Sequence, residues 1–120
     1  MTLVSSVLDW TTGGEGIAFQ NCSACGHRWY FRRDFCPRCG SGSPVDRQAS
    51  GFGIVHAATL VTRAPSEELR VYAPYLIVLV DADEGFRLMA HGAAQLRIGA
   101  RVRSRFVFFG GRLVPFFDPV

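Results

Sequence analysis

The sequence predicts a mainly β chain: a short N-terminal helix, a rubredoxin-like zinc ribbon and a five-stranded OB-fold barrel. Three observations predict it. All four cysteines fall in one window as two Cys-x-x-Cys-Gly units, beginning at Cys22 and Cys36. Beyond residue 50, short apolar runs are separated by Gly- and Asp-containing turn signals. Near the start, Leu3, Val4, Val7 and Leu8 recur at helical spacing. At 120 residues, 48% hydrophobic and 19% charged, the chain suits one small core and is too apolar for disorder.

Residues 1–16 read as the helix and its lead-in. The helix runs from Leu3 to Trp10, and Gly13-Gly14 ends it. Two turns are marginal alone in water, so this helix must dock on its own chain or on another. Residues 17–44 read as the ribbon: Ile17 to Gln20 enters the first knuckle, Trp29-Tyr30-Phe31 leaves it, and Gly40-Ser-Gly-Ser-Pro44 is a linker. Residues 45–120 read as the barrel, with strands at Phe52 to Val61, Tyr75 to Val80, Phe86 to His91, Arg101 to Phe108 and Leu113 to Phe117. Asp83-Glu-Gly85 and Phe109-Gly-Gly-Arg112 are hairpin turns, and the loop around Pro65 joins the first two strands. Gln95-Leu-Arg-Ile-Gly99 lies where a five-stranded OB-fold has its connecting segment, which favours that barrel over an SH3-like one.

The cysteine spacing points to structural zinc on Cys22, Cys25, Cys36 and Cys39. Paired Cys-x-x-Cys units bring two thiolates each to a tetrahedral ion at about 2.3 Å, and the glycine that follows lets the chain fold back so that backbone N–H groups face the sulfurs. Four protein thiolates leave no open position for a metal-bound water, so the ion holds shape. The formal charge of +3 falls to about +1 once four thiolates and a divalent ion are counted. Arg28, Arg32, Arg33 and Arg38 crowd the ribbon. They either offset the negative tetrathiolate centre or contact a phosphate-like anion, and Arg32 and Arg33 stand farthest from the cysteine pairs.

Other chemistries are excluded. All basic residues are arginine, which removes Schiff-base and lysine general-base catalysis by this chain. His27, His56 and His91 lie at no nucleophile–base spacing, Asp81, Asp83 and Glu84 lack the spacing of a calcium loop, and Gly51-Phe-Gly53 is no nucleotide loop. The longest apolar stretches, such as Tyr75 to Val80, fall far short of the roughly 20 residues of a membrane span, and the first ten residues lack the charge order of a secretory signal, so the expected location is cytoplasmic. Two strands are informative. Val102, Ser104, Phe106 and Phe108 alternate with Arg101, Arg103 and Arg105, as in a strand with one wet face. Tyr75 to Val80 is apolar on both faces, so the ribbon, the N-terminal helix, the Pro115-Phe116-Phe117 tail or a partner must cover its outer side.

The ordered combination of Cys22-Ser-Ala-Cys25-Gly26, Phe35-Cys36-Pro-Arg-Cys39-Gly40, Gly51-Phe-Gly-Ile-Val55, Ala73-Pro-Tyr-Leu-Ile-Val-Leu-Val80, Asp83-Glu-Gly-Phe-Arg-Leu88, Leu96-Arg-Ile-Gly99 and the Pro115-Phe-Phe117 tail resembles the zinc-ribbon OB-fold proteins catalogued as domain of unknown function thirty-five. The resemblance runs from about Ala18 to the C-terminus. It implies a non-catalytic accessory subunit of an acyl-CoA thiolase, aldolase or hydratase complex, in which the partner has the nucleophile and this chain supports its acyl-CoA site. On that reading Arg32 and Arg33 contact CoA. Trp29, Tyr30, Phe31 and Phe35 of the ribbon, Tyr75, Ile77 and Leu79 of the two-sided strand, and Phe116 and Phe117 of the tail dock on the partner. The competing readings are a single-stranded nucleic-acid module, which needs a basic groove with stacking aromatics, and a stand-alone acyl-CoA binding protein.

Overall fold

The computed structural model describes residues 7–120. The β-strands among them form two sheets. In the ribbon, β1 (Ala18–Cys22), β2 (Arg28–Trp29) and β3 (Pro44–Gln48) make an antiparallel sheet in the order β2-β1-β3. β4 (Phe52–Val61), β5 (Tyr75–Ala82), β6 (Arg87–Gly92), β7 (Arg101–Phe109) and β8 (Arg112–Pro119) close a barrel in the order β4-β5-β6-β8-β7. Its neighbours run antiparallel except β6 and β8, which run parallel through His91↔Phe116 and Gly92↔Phe117. This is the five-stranded OB-fold topology.

Alternation decides what faces inward. In β5, Leu76, Val78 and Val80 are buried, and their cross-strand neighbours Leu88 and Ala90 of β6 are buried with them. Val55, Val102 and Phe117 complete the centre. β4 bends over this core through a bulge at His56, where the register skips from Val55 to Ala57. Gly53 sits where backbone crosses closely: a Cβ there would lie 2.6 Å from the carbonyl oxygen of Asp81.

The ribbon is not a separate bead. Ile17 and Phe19 belong to the barrel's core, Phe19 stacks on Phe86 at 4.8 Å, and Tyr30 covers the same ring at 5.7 Å, nearly parallel. Arg28 adds a hydrogen bond from its guanidinium to the Glu84 carbonyl at 2.6 Å.

Three expectations change. Of the helix expected from Leu3 to Trp10, residues 3–6 lie outside the described residues, and residues 7–9 are not helical. Asp9 is extended (φ −139°, ψ 126°), and its carboxylate caps a single 3-10 turn, Trp10–Thr12, which Gly13 closes. A short run with weak nucleation yields to tertiary hydrogen bonds: Gln48 of β3 binds Leu8 through both its backbone N–H and its carbonyl, at 2.6 and 3.0 Å. Second, the linker gives way to β3 at Pro44, because β1 needs a partner on its second edge. Third, Phe108 does not alternate inward. It is 73% exposed, since β7 runs past the barrel wall and there pairs only with β8.

Candidate metal centre and docking surface

Two reverse turns build the cysteine cluster. After Cys22, which ends β1, the chain turns back so that the Gly26 N–H donates to the Cys22 carbonyl at 2.9 Å; after Cys36 the Gly40 N–H does the same at 2.9 Å. Both glycines have φ near +80° (78° and 79°), a left-handed conformation that side chains resist. The turns aim amides at sulfur: Ala24 and Cys25 N–H at the Cys22 Sγ, both 3.4 Å, and Arg38 and Cys39 N–H at the Cys36 Sγ, 3.4 and 3.5 Å.

The four sulfurs lie within 4.8 Å of one another. Cys22 to Cys39 measures 3.6 Å and Cys25 to Cys36 3.7 Å. A tetrahedron with metal–sulfur bonds of about 2.3 Å has edges of about 3.8 Å, so the cluster fits a tetrathiolate ion such as zinc. The backbone amide of Cys25, with that of Ala24, holds the Cys22 thiol down to about 6. Burial opposes ionisation of Cys36, but the amides of Cys39 and Arg38 outweigh it and bring its thiol below the ordinary value. Cys39, although the Ser41 amide favours its thiolate, is pushed up to about 12 by the neighbouring Cys22 sulfur and by burial. The amides favour the thiolates of Cys22 and Cys36, and the repulsion that opposes ionisation of Cys39 beside them is what a divalent cation would remove.

The expected docking residues fall into three groups. Trp29 and Phe117 are buried, at 8% and 1% exposure, and drop out as surface contacts. Trp29 packs on Cys22 and Cys36 and donates its indole N–H to Gln20 at 2.7 Å; Phe117 fills the barrel. Phe31 and Phe35 are exposed, at 78% and 64%. Tyr30, Tyr75, Ile77, Leu79 and Phe116 are half-buried.

The outer face of β4-β5-β6 is broader than one strand. Register places Leu79 beside Ala57 and Met89, and Ile77 beside Thr59 and His91; Ile54 lies one pair farther along. Met89 is 63% exposed and Ile54 46%. Both were missed, although Met89 stands between inward Leu88 and Ala90 and the alternation of β6 already sends it outward. At one end the face meets an aromatic cluster in which Phe109 contacts Tyr72, Tyr75 and His91.

Arg32 and Arg33 differ. The Arg32 guanidinium donates to Asp46 at 2.6 Å, and that bond raises its pKa. Arg33 is fixed by its backbone N–H to Gln20 at 2.6 Å, and its side chain is exposed. The arginine row of β7 is largely paired: Arg101 with Asp83 at 2.5 Å, Arg105 with Asp118, while Arg103 lies over the Phe52 ring at 5.7 Å. Among the described residues no helix is long and apolar enough to cross a membrane.

Residues 46–107 match the family of the ChsH2 C-terminal OB-fold domain. Two curated relatives are each called a DUF35 domain-containing scaffold protein. The one from Methanothermobacter thermautotrophicus is 31% identical over 68 residues, 56% of this chain and 50% of that protein. The one from Pyrococcus furiosus is 40% identical over 60 residues, 50% of this chain and 43% of that protein. The matched region thus spans about half the length of these relatives. Among solved structures, a chain of the Ltp2-ChsH2(DUF35) aldolase superposes with a TM-score of 0.74 at 26% identity, covering 87% of this chain and 84% of that one. A DUF35-family protein of unknown function from Sulfolobus solfataricus shares the fold, with a TM-score of 0.59 at 16% identity over 88% of this chain and 76% of that one. With the family match running from β3 through most of β7, over half of its length, this chain belongs to the DUF35 family and has the ChsH2-type OB-fold domain.

Proposed function

We propose that the chain is a non-catalytic, zinc-pinned scaffold subunit of an enzyme complex that acts on acyl-CoA thioesters, with a thiolase-type aldolase as its partner. The observation that carries this reading is the likeness, over 87% of the chain, to a component of the Ltp2-ChsH2(DUF35) aldolase. Two features support it. Each histidine has a structural neighbour: His27 stacks on Trp29, His56 faces Asp81 at 3.6 Å on the open surface, and His91 meets aromatic rings. The outer β4-β5-β6 face offers apolar side chains that this chain leaves exposed, as expected of a surface that another protein covers.

In this proposal zinc occupies Cys22, Cys25, Cys36 and Cys39 and orders the ribbon sheet against the barrel; the boundary expected between residues 44 and 45 moves past β3, which pairs with β1. Four thiolates fill its coordination, so the ion contributes shape and no substrate activation. Arg32 and Arg33 lie on the exposed side of the ribbon and would meet the phosphates of CoA when a partner brings the thioester there. The test is co-expression with a neighbouring thiolase-like protein. The two are expected to co-purify, and the enzyme alone to be poorly soluble or inactive on acyl-CoA esters. A monomeric isolated chain together with a fully active, soluble enzyme without it would sink the proposal.

A further inference from the structure

The cleft between the N-terminal turn and the ribbon is separate from both the cysteine cluster and the outer barrel face. It encloses about 500 Å³, within the range of sites that hold small molecules. Its walls are aromatic: Trp10 from the 3-10 turn, Phe19 beside Ala18 from β1, and Tyr30 and Phe31 from the segment after β2. These walls are fixed. The Trp10 indole N–H donates to the Tyr30 hydroxyl at 2.7 Å, and the Tyr30 ring stacks on Phe86.

The charged groups that line the cleft are already engaged. Arg32 and Asp46 bind each other at 2.6 Å, and Gln20 donates to the second Asp46 oxygen at 3.2 Å. The Asp9 carboxylate accepts from the backbone and hydroxyl of Thr11. In the isolated chain, with Arg32 held by Asp46, two carboxylates against one guanidinium give the lining a net negative charge; a CoA phosphate would reach Arg32 only from its exposed side, in the complex. Among the aromatic walls the Tyr30 hydroxyl is a donor: it accepts from Trp10, and among the described residues no acceptor is assigned to its own proton.

We propose that this cleft binds an uncharged, ring-bearing apolar molecule with a carbonyl or hydroxyl oxygen that takes the Tyr30 proton in a hydrogen bond. The aromatic walls select rings, and the engaged charges select against carboxylates and sulfonates. Binding here needs no partner enzyme, so its failure would leave the scaffold reading untouched.

The test is a titration of the full, metal-loaded chain with Nile red, a neutral fused-ring dye with a carbonyl. Saturable one-to-one binding is expected, with quenching of tryptophan emission that Trp10→Phe reduces to the share of Trp29. Ala18→Leu fills the cleft and is expected to weaken binding at least about tenfold with circular dichroism and metal content unchanged, while Met89→Ser on the outer barrel face has no effect. Anilinonaphthalene sulfonate, anionic and similar in size, is expected to bind about tenfold more weakly or worse. Should Ala18→Leu fail to fold, Phe31→Ala at the exposed mouth takes its place, with several-fold weaker dye binding expected. Absence of saturation, unchanged affinity in the cleft variant, tighter binding of the sulfonate, or loss of binding in Met89→Ser would overturn the proposal.

Discussion

His91 stands where the outer barrel face meets the aromatic cluster, its ring 4.1 Å from Phe109 and 5.5 Å from Tyr75. Burial pushes its imidazole below the ordinary 6.5. The sign follows from linkage. Below the unfolded value the unfolded chain takes up a proton that the folded chain resists, so stability is lost as pH falls through that value, and is fully present above it. Urea midpoints are therefore expected to drop between about pH 7.5 and about pH 5.5, and His91→Phe to shrink that drop. An identical pH profile in the variant would show that His91 is not the titrating group. Arg32 and Arg33 pose a different question at this scale. The Arg32–Asp46 pair is solvent-exposed on the arginine side, so losing it costs little stability, about 0–1 kcal/mol. If these side chains meet CoA phosphates, Arg32→Ala with Arg33→Ala removes charge-assisted bonds and is expected to raise the KM of the complex for acyl-CoA esters about tenfold or more. Metal content should stay unchanged; a loss of metal alone, with KM constant, would assign these arginines to charge balance.

Among the elements, the joint between ribbon and barrel is held by the Phe19–Phe86–Tyr30 stack. Phe86 is 5% exposed and precedes β6 in the turn that also receives Arg28. Phe86→Ala is expected to cost about 3–5 kcal/mol, read from denaturant unfolding. Metal release and loss of barrel circular dichroism should coincide in the wild type and separate in this variant. If they remain coincident, the stack is not what couples the two sheets. Chelation addresses the same joint from the other side. Structural zinc sites contribute about 10–16 kcal/mol of apparent binding free energy in small peptides, so stripping the metal should disorder the turns around Cys22 and Cys36 and shift the emission of Trp29 to the red. Because Ile17 and Phe19 are core residues of the barrel, its melting temperature should fall as well. The barrel strands were legible in the sequence because their alternation is local: β4 begins at Phe52 and ends at Val61 as expected, and the others agree to within two residues. β3 was not legible. Pro44–Gln48 has one aliphatic residue, Val45, and owes its conformation to pairing with the distant β1, from Ala18↔Gln48 to Cys22↔Pro44.

For the molecule as a whole, the cysteine cluster was readable from spacing alone, because two knuckles dictate their own turns. The exposed apolar face proposed for docking was readable only in part. Ile77 and Leu79 announced themselves by leaving β5 apolar on both sides, whereas Ile54 and Met89 join them through registers that exist only once the barrel closes. Trp29 and Phe117 looked like surface candidates from composition and were claimed by the interior. The outer face that results has a sharp test. Met89 is 63% exposed, so Met89→Asp should change the stability of the isolated chain by no more than about 0.5 kcal/mol. In a complex the same carboxylate would be buried against an apolar partner without a counter-charge. That costs several kcal/mol, enough to reduce affinity by about a hundredfold or more. Ile98→Asp, at a 72% exposed position in the connector before β7, supplies the matched control, since it adds the same charge outside strands β4, β5 and β6. Capture of the co-expressed enzyme is expected to fail for Met89→Asp and to persist for Ile98→Asp. Equal capture by both would place the contact elsewhere, and the exposed ribbon rings Phe31 and Phe35 would then be the surface to substitute.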